Sequence, residues 1–232
     1  MPDIGYGALL LAFLTAGYAL AALIVGVRRQ YPELIRSGEN GLKLAALWTV
    51  VASAILLFLL VDRQYQVQYV YEHVSSYMRL EYVLSAFWAG QEGSLLLWLL
   101  LVAGASLILM GSLHDEEGRR LRPYLLGTLA LVEAFMALLL IFPSNPFALL
   151  PVTPAEGMGL NPLLENVGMI FHPPTLFIGY ALYTVPFAFV VAGLLSGQSS
   201  DTWMARTRRW SLMAWLFLGV GIVLGAWWAY VE

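Results

Sequence analysis

Apolar residues come in continuous blocks along this chain, separated by short polar stretches and two longer mixed ones. A helix needs about 20 apolar residues to cross a hydrocarbon core, and such blocks run over about 5 to 27, 42 to 61, 94 to 113, 124 to 142, 174 to 195 and 211 to 231. Six membrane-spanning helices are predicted. The longest gaps, 62–93 and 143–173, are too short for a soluble domain, so residues 1–232 are expected to form one transmembrane domain. The expected fold class is all-α: a polytopic helix bundle with one further amphipathic helix at the membrane interface.

Composition agrees. The chain is 60% hydrophobic and 12% charged, with a mean hydropathy of +0.74, far from the balance of soluble domains. Met1-Pro2-Asp3 places no basic residue ahead of the first block, which is longer than a signal-peptide core and is expected to stay in the membrane. The net charge of −3 says little, but its distribution is informative. Arg28, Arg29, Arg36 and Lys43 flank the first connection, Arg119, Arg120 and Arg122 the second, and Arg206, Arg208 and Arg209 the third, leaving only Arg63 and Arg79 in the alternate loops. The positive-inside rule then puts both termini and loops 62–93 and 143–173 on the outer side. No nucleic-acid partner is expected; the partner common to all six blocks is the lipid bilayer. With no cysteine, the chain forms no disulfide, and any redox chemistry needs a cofactor or a partner.

Long outer loops are where function concentrates. In 62–93, Tyr77, Leu80, Leu84, Phe87, Trp88 and Gln91 recur at helical spacing, which predicts the interfacial amphipathic helix. It ends in Trp88-Ala89-Gly90-Gln91-Glu92-Gly93-Ser94, where Ser94 is placed to cap the third span. This segment reads as an anchor and cap, or as a docking shelf for a flat apolar ligand. Loop 143–173 holds Pro143, Pro146, Pro151, Pro154, Pro162 and Pro173 and no basic residue, so it should be stiff and extended. Pro173 and Pro174 suit the first turn of the fifth span, which would leave His172 just outside that helix.

His172 is the first candidate for chemistry. An imidazole at a helix start either hydrogen-bonds nearby backbone or binds a metal or haem iron. His73 and His114 lie in loops, and no block contains a histidine, so these helices alone supply no bis-histidine site at mid-membrane. Glu133 is the one ionisable side chain deep in a block; it reads either as a neutral acid bonding a neighbouring helix or as a proton or quinone site. In the sixth block, Gly221 and Gly225 have small-xxx-small spacing, and Trp227, Trp228 and Tyr230 form an interfacial belt or a surface for a macrocycle.

Taken in order, Trp88-Ala89-Gly90-Gln91-Glu92-Gly93-Ser94-Leu95-Leu96-Leu97-Trp98, Ser144-Asn145-Pro146-Phe147, Leu160-Asn161-Pro162-Leu163-Leu164, His172-Pro173-Pro174 and Gly225-Ala226-Trp227-Trp228-Ala229-Tyr230 resemble the cytochrome c maturation haem lyase family CcmF. Residues 1–60 match only as generic helices, and after His73 the family pattern is interrupted by Val74-Ser75 and Tyr82-Val83. The resemblance implies a component of a haem lyase that receives haem on the outer face from a chaperone for attachment to apocytochrome c brought by a presenting subunit. It implies His172 as an axial ligand, His73 as a less favoured one, and Trp88, Glu92, Trp227 and Trp228 as haem-binding positions. It places the chain in the cytoplasmic, or mitochondrial inner, membrane. In the family a tryptophan-rich Trp-Asp segment follows; this chain stops at Glu232, so a second chain or segment is expected to complete the site. The competing readings are a structural subunit of a respiratory or transport complex without haem, and a transporter built on Glu133, against which no inverted repeat is found.

Overall fold

The computed structural model describes residues 1–197 and 201–231. The six expected spans are present as α1 (Pro2–Arg29), α2 (Pro32–Val61), α5 (Gln91–Ser112), α6 (Glu116–Ile141), α7 (Val167–Ser196) and α8 (Asp201–Val231), with short helices α3 (Gln68–His73) and α4 (Leu80–Ser85) between α2 and α5. Several helices begin well before their apolar block, because start signals lie in the polar flanks. Pro32 stands in the first turn of α2, and the Asp115 carboxylate accepts from the Gly118 amide ahead of α6. Hydropathy reports the part in hydrocarbon; caps report the helix.

α1 and α2 pack as a close hairpin. Ala8, Ala12, Ala16, Ala19, Ala22 and Gly26 of α1 recur every three or four residues and are buried, while Gly38 and Gly41 of α2 lie against Leu23 and Ala19. Lipid tails are as apolar as leucine, so such helices associate through close van der Waals fit, which small side chains permit. α6 is the central helix, with 67% of its apolar window buried, against 11% for α8, which lies along α7 at the edge of the bundle. At the basic end, Arg122 pairs with Glu39 at 2.7 Å and Arg206 with Asp115 at 2.6 Å.

At the other end the two long loops are one structure. The Gln68 amide donates to the Ala148 carbonyl and the Leu150 amide to the Gln66 carbonyl, both at 2.9 Å, giving an antiparallel bridge between Val67 and Leu149. Phe147 is buried against Gly5 of α1, where a Cβ would have no room. Asn145 sets this plug by accepting from the Phe147 amide at 2.9 Å, and Ser144 accepts from the Gln91 side chain at 2.9 Å. The Ser-Asn-Pro-Phe string is thus a local turn that seals the bundle.

The expected amphipathic helix over 77–91 is instead α4 followed by a 3₁₀ turn, Ala86–Trp88. Arg79 is extended and Gly90 is extended, so helical structure is confined between them. The buried side is Val83, Ala86 and Phe87, whereas Tyr77 is 90% exposed and Leu80 and Leu84 are exposed. Ser94 does not cap α5 either: Gly90 is the cap residue, and the Ser94 hydroxyl donates to the Trp88 carbonyl at 2.9 Å.

Glu156 fastens the two long loops together. Its carboxylate accepts from the Ser76 amide and hydroxyl at 2.8 and 2.6 Å, from the Tyr65 hydroxyl at 3.1 Å and from the Gly157 amide. The Ser76 bonds hold its pKa down at about 2. The folded value lies below the unfolded one, so this clasp contributes fully above the ordinary glutamate pKa and is lost as pH falls toward about 2. Glu156→Gln should therefore speed limited proteolysis of loop 62–93 at neutral pH, while at pH near 2 variant and parent should be cut alike.

Candidate functional site

The fifth span starts earlier than its prolines suggest. The Asn166 side chain accepts from the Gly168 amide at 2.8 Å and α7 begins at Val167, so His172, Pro173 and Pro174 lie in its second turn rather than at its entrance. A histidine therefore does lie within a membrane-spanning helix, contrary to the block reading. An interior proline has no amide to give the carbonyl four residues back, and for Pro173 that carbonyl is Met169. The structure supplies a substitute: the Trp88 indole N–H donates to the Met169 carbonyl at 2.9 Å. The prolines thus create an acceptor in the helix wall, and a tryptophan from the neighbouring loop occupies it.

Trp88 is held from behind by the Ser94 hydroxyl on its carbonyl. Ten residues further on, Trp98 packs against Phe177 and Tyr180 of α7 with ring centroids 6.2 and 5.7 Å apart. Both tryptophans of the Trp88–Trp98 string dock on the helix that carries His172. Gly93 is required beneath them, since a Cβ there would collide with the Phe87 carbonyl and the Tyr69 hydroxyl.

The His172 ring is clamped between α7 and α8. Its Nδ1 is 2.7 Å from the Gly221 carbonyl oxygen. A carbonyl only accepts, so Nδ1 carries the hydrogen and, in the neutral ring, Nε2 keeps the lone pair. A Cβ at Gly225 would come within 2.5 Å of the ring, so that position must be glycine for the imidazole to lie where it does. Trp228 meets the ring edge-on at 6.0 Å and covers Gly168, with its own Nε1 buried and without a partner among the described residues. The Gly221/Gly225 spacing thus serves close packing, as expected, and also forms the seat of the imidazole.

The remaining sequence candidates are distributed around this centre. Trp227 is exposed on α8, on the side away from His172, as is Tyr230. Glu92 lines a separate polar cleft of about 240 Å³ with Gln68, Glu72 and Asn145. His73 stacks on Tyr69 at 4.3 Å, its Nδ1 2.8 Å from the Tyr69 carbonyl oxygen, and its Nε2 faces Gly90. His73 and His172 share none of these neighbours. Burial raises the pKa of the Tyr69 phenol, which stays protonated and donates to the Ala86 carbonyl at 2.8 Å. Glu133 lies against Ser106 of α5, Oε1 to Oγ 2.6 Å, the inter-helix bond that was one of its two readings.

The family model described as cytochrome C assembly protein matches residues 88–232. The chain belongs to the cytochrome c assembly protein family. Among similar proteins, the cytochrome c-type biogenesis protein CcmF of Pseudomonas aeruginosa is 39% identical over 239 residues, covering 100% of this chain and 35% of that protein. CcmF of Escherichia coli is 37% identical over 233 residues, covering 100% and 36%. CycK of Rhizobium meliloti is 36% identical over 234 residues, covering 99% and 34%. A solved structure titled cytochrome c haem lyase CcmF superposes with a TM-score of 0.86 at 26% identity, covering 99% of this chain and 36% of that one. The chain spans about a third of the length of these relatives. The family match contains Trp88, Glu92, His172, Trp227 and Trp228, and leaves His73 outside it.

Sequence reasoning did not find the Met169 carbonyl as an acceptor or Gly168 as the floor under Trp228. The available signal was the pair of prolines directly after His172, which marks a freed carbonyl wherever it falls inside a helix. A double-mutant cycle tests the substitution. Trp88→Phe should destabilise the protein by about 1–2 kcal/mol through an unsatisfied buried acceptor. In a Pro173→Ala background, where a backbone amide can again reach Met169, the same change should cost clearly less in thermal unfolding. Equal costs in both backgrounds would mean that Trp88 does not stand in for the missing amide.

Proposed function

We propose that this chain is a haem-handling part of a cytochrome c maturation machine, and that His172 offers Nε2 to haem iron as an axial ligand. The observation that carries this reading is the ring's fixed state: Nδ1 donating to the Gly221 carbonyl, the Nε2 lone pair left free, and a glycine seat that admits no Cβ. Metal-bound histidines use the same arrangement, in which the second ring nitrogen donates to a carbonyl and so fixes tautomer and orientation. Among the described residues no group of three His, Cys, Asp or Glu side chains could hold a bare metal ion. A single axial imidazole suits iron already held by a porphyrin. The names of the relatives, cytochrome c-type biogenesis proteins and a haem lyase, support the same ligand.

In this reading, both termini and the joined outer loops face the non-cytoplasmic side of a cytoplasmic or mitochondrial inner membrane. Trp88 holds the helix wall at His172, and Trp228 provides aromatic surface beside it. Haem, when bound, supplies the iron and the vinyl groups at which thioether bonds to an apocytochrome form. The chain's own residues fix the ligand and screen one side of it from water. Partners are a haem-delivering chaperone, apocytochrome c with its presenting subunit, and a chain or segment carrying the tryptophan-rich motif. His73 is the weaker ligand candidate, because it lies outside the family match.

The test uses the protein purified with its partner chains. His172→Ala should reduce the Soret absorbance of the complex and its yield of mature cytochrome c, and added imidazole should restore part of the spectrum, separating loss of ligand from loss of fold. Gly225→Ala, which displaces the ring without removing it, should weaken haem retention about tenfold, the scale of a disturbed ligand orientation. An unchanged Soret band and normal maturation in His172→Ala would reject the ligand role. A complex that carries no haem at any occupancy would favour a purely structural subunit.

A further inference from the structure

The basic end of the bundle holds a cleft that neither haem nor the outer loops explain. α1, α6 and α7 leave between them a space of about 450 Å³, walled by Leu20, Ile24, Leu131 and Phe187 and reaching Arg28 in the last turn of α1 and Tyr124 in the third turn of α6. Arg28 and Tyr124 therefore stand at one end of a slot that is otherwise apolar but for Thr128, whose hydroxyl donates to the Tyr124 carbonyl. Arg122 and Arg206, at the same end of the molecule, are each paired with a carboxylate. Arg28 has no ion pair, and the Tyr124 hydroxyl has no hydrogen-bond partner, among the described residues.

A guanidinium and a phenol at the head of an apolar slot suit an occupant with an anionic group and a hydrocarbon tail. We infer that the cleft binds an anionic phospholipid of the surrounding bilayer, with an acyl chain between α1, α6 and α7 and the phosphate on the Arg28 guanidinium and the Tyr124 hydroxyl. Basic pockets between transmembrane helices recognise anionic headgroups in this way: a planar guanidinium donates twice to one phosphate, and the hydrocarbon wall holds the tail. Gly127 keeps the slot open. Its notional Cβ has only an ordinary contact at 3.9 Å with Leu23, so a larger side chain there can be accommodated by entering the cleft.

The experiment uses the protein with its partner chains, delipidated and then titrated with phosphatidylglycerol or phosphatidylcholine under native mass spectrometry. The parent should retain phosphatidylglycerol in preference to phosphatidylcholine. Arg28→Gln should weaken retention of phosphatidylglycerol about fivefold, the usual weight of one basic side chain at a lipid surface. Arg29→Gln removes the same charge one residue away, outside the cleft lining, and should leave retention nearly unchanged. Gly127→Leu should reduce retention of both lipids by filling the slot. Equal effects of the Arg28 and Arg29 changes would reduce the preference to general surface charge and overturn the site. So would retention that Gly127→Leu leaves intact, or a single cysteine at position 191 that crosslinks to another polypeptide segment in place of a photoreactive phosphatidylglycerol. Haem spectra of the Arg28→Gln and Gly127→Leu proteins should stay those of the parent, so this test succeeds or fails independently of the His172 reading.

Discussion

The hydrogen bond from the Trp88 indole to the Met169 carbonyl is the contact on which the long-loop end of this protein depends. Inside a membrane-spanning helix a carbonyl deprived of its amide is costly, because neither lipid nor apolar side chains can accept or donate. Pro173 in α7 creates that debt one turn from the His172 imidazole, and a side chain from another segment settles it. The same bond holds the Trp88–Gly93 turn against α7, just ahead of α5, and through Gln91 and Ser144 this turn ties in the second long loop. A helix irregularity has become the point at which three parts of the chain meet.

The six spans were legible because the cost of placing polar groups in hydrocarbon acts residue by residue, and a linear scan reads it. The start of α7 was not, because Pro173 and Pro174 look like the first turn of a helix unless one knows that Trp88 is near. The pairing of Gln66–Gln68 with Ala148–Leu150 left no mark on either segment alone. Likewise, the apolar positions over 77–91 have helical spacing, but the extended residues Arg79 and Gly90 bound a much shorter helix and turn its buried side to Val83 and Phe87.

At the site itself, sequence pointed to His172 as the chemical group and to Gly221 and Gly225 as a packing pair. It did not show that these were one feature. The reason is geometric: which glycine faces which ring depends on how far α8 has slid along α7, a quantity that neither helix encodes alone. Trp227 and Trp228 show the same limit. They are neighbours in sequence, yet one is exposed and the other lies against the histidine.

The seat of His172 therefore has a further consequence. Successive residues of a helix are turned by about 100° from one another, so a slip of α8 by one position would present the side chain of Leu224 or Ala226 where Gly225 now leaves room for the imidazole. The histidine works as one detent between the two helices, alongside Trp228 over Gly168 and Leu218 over Gly179, and together these contacts fix how the hairpin is aligned.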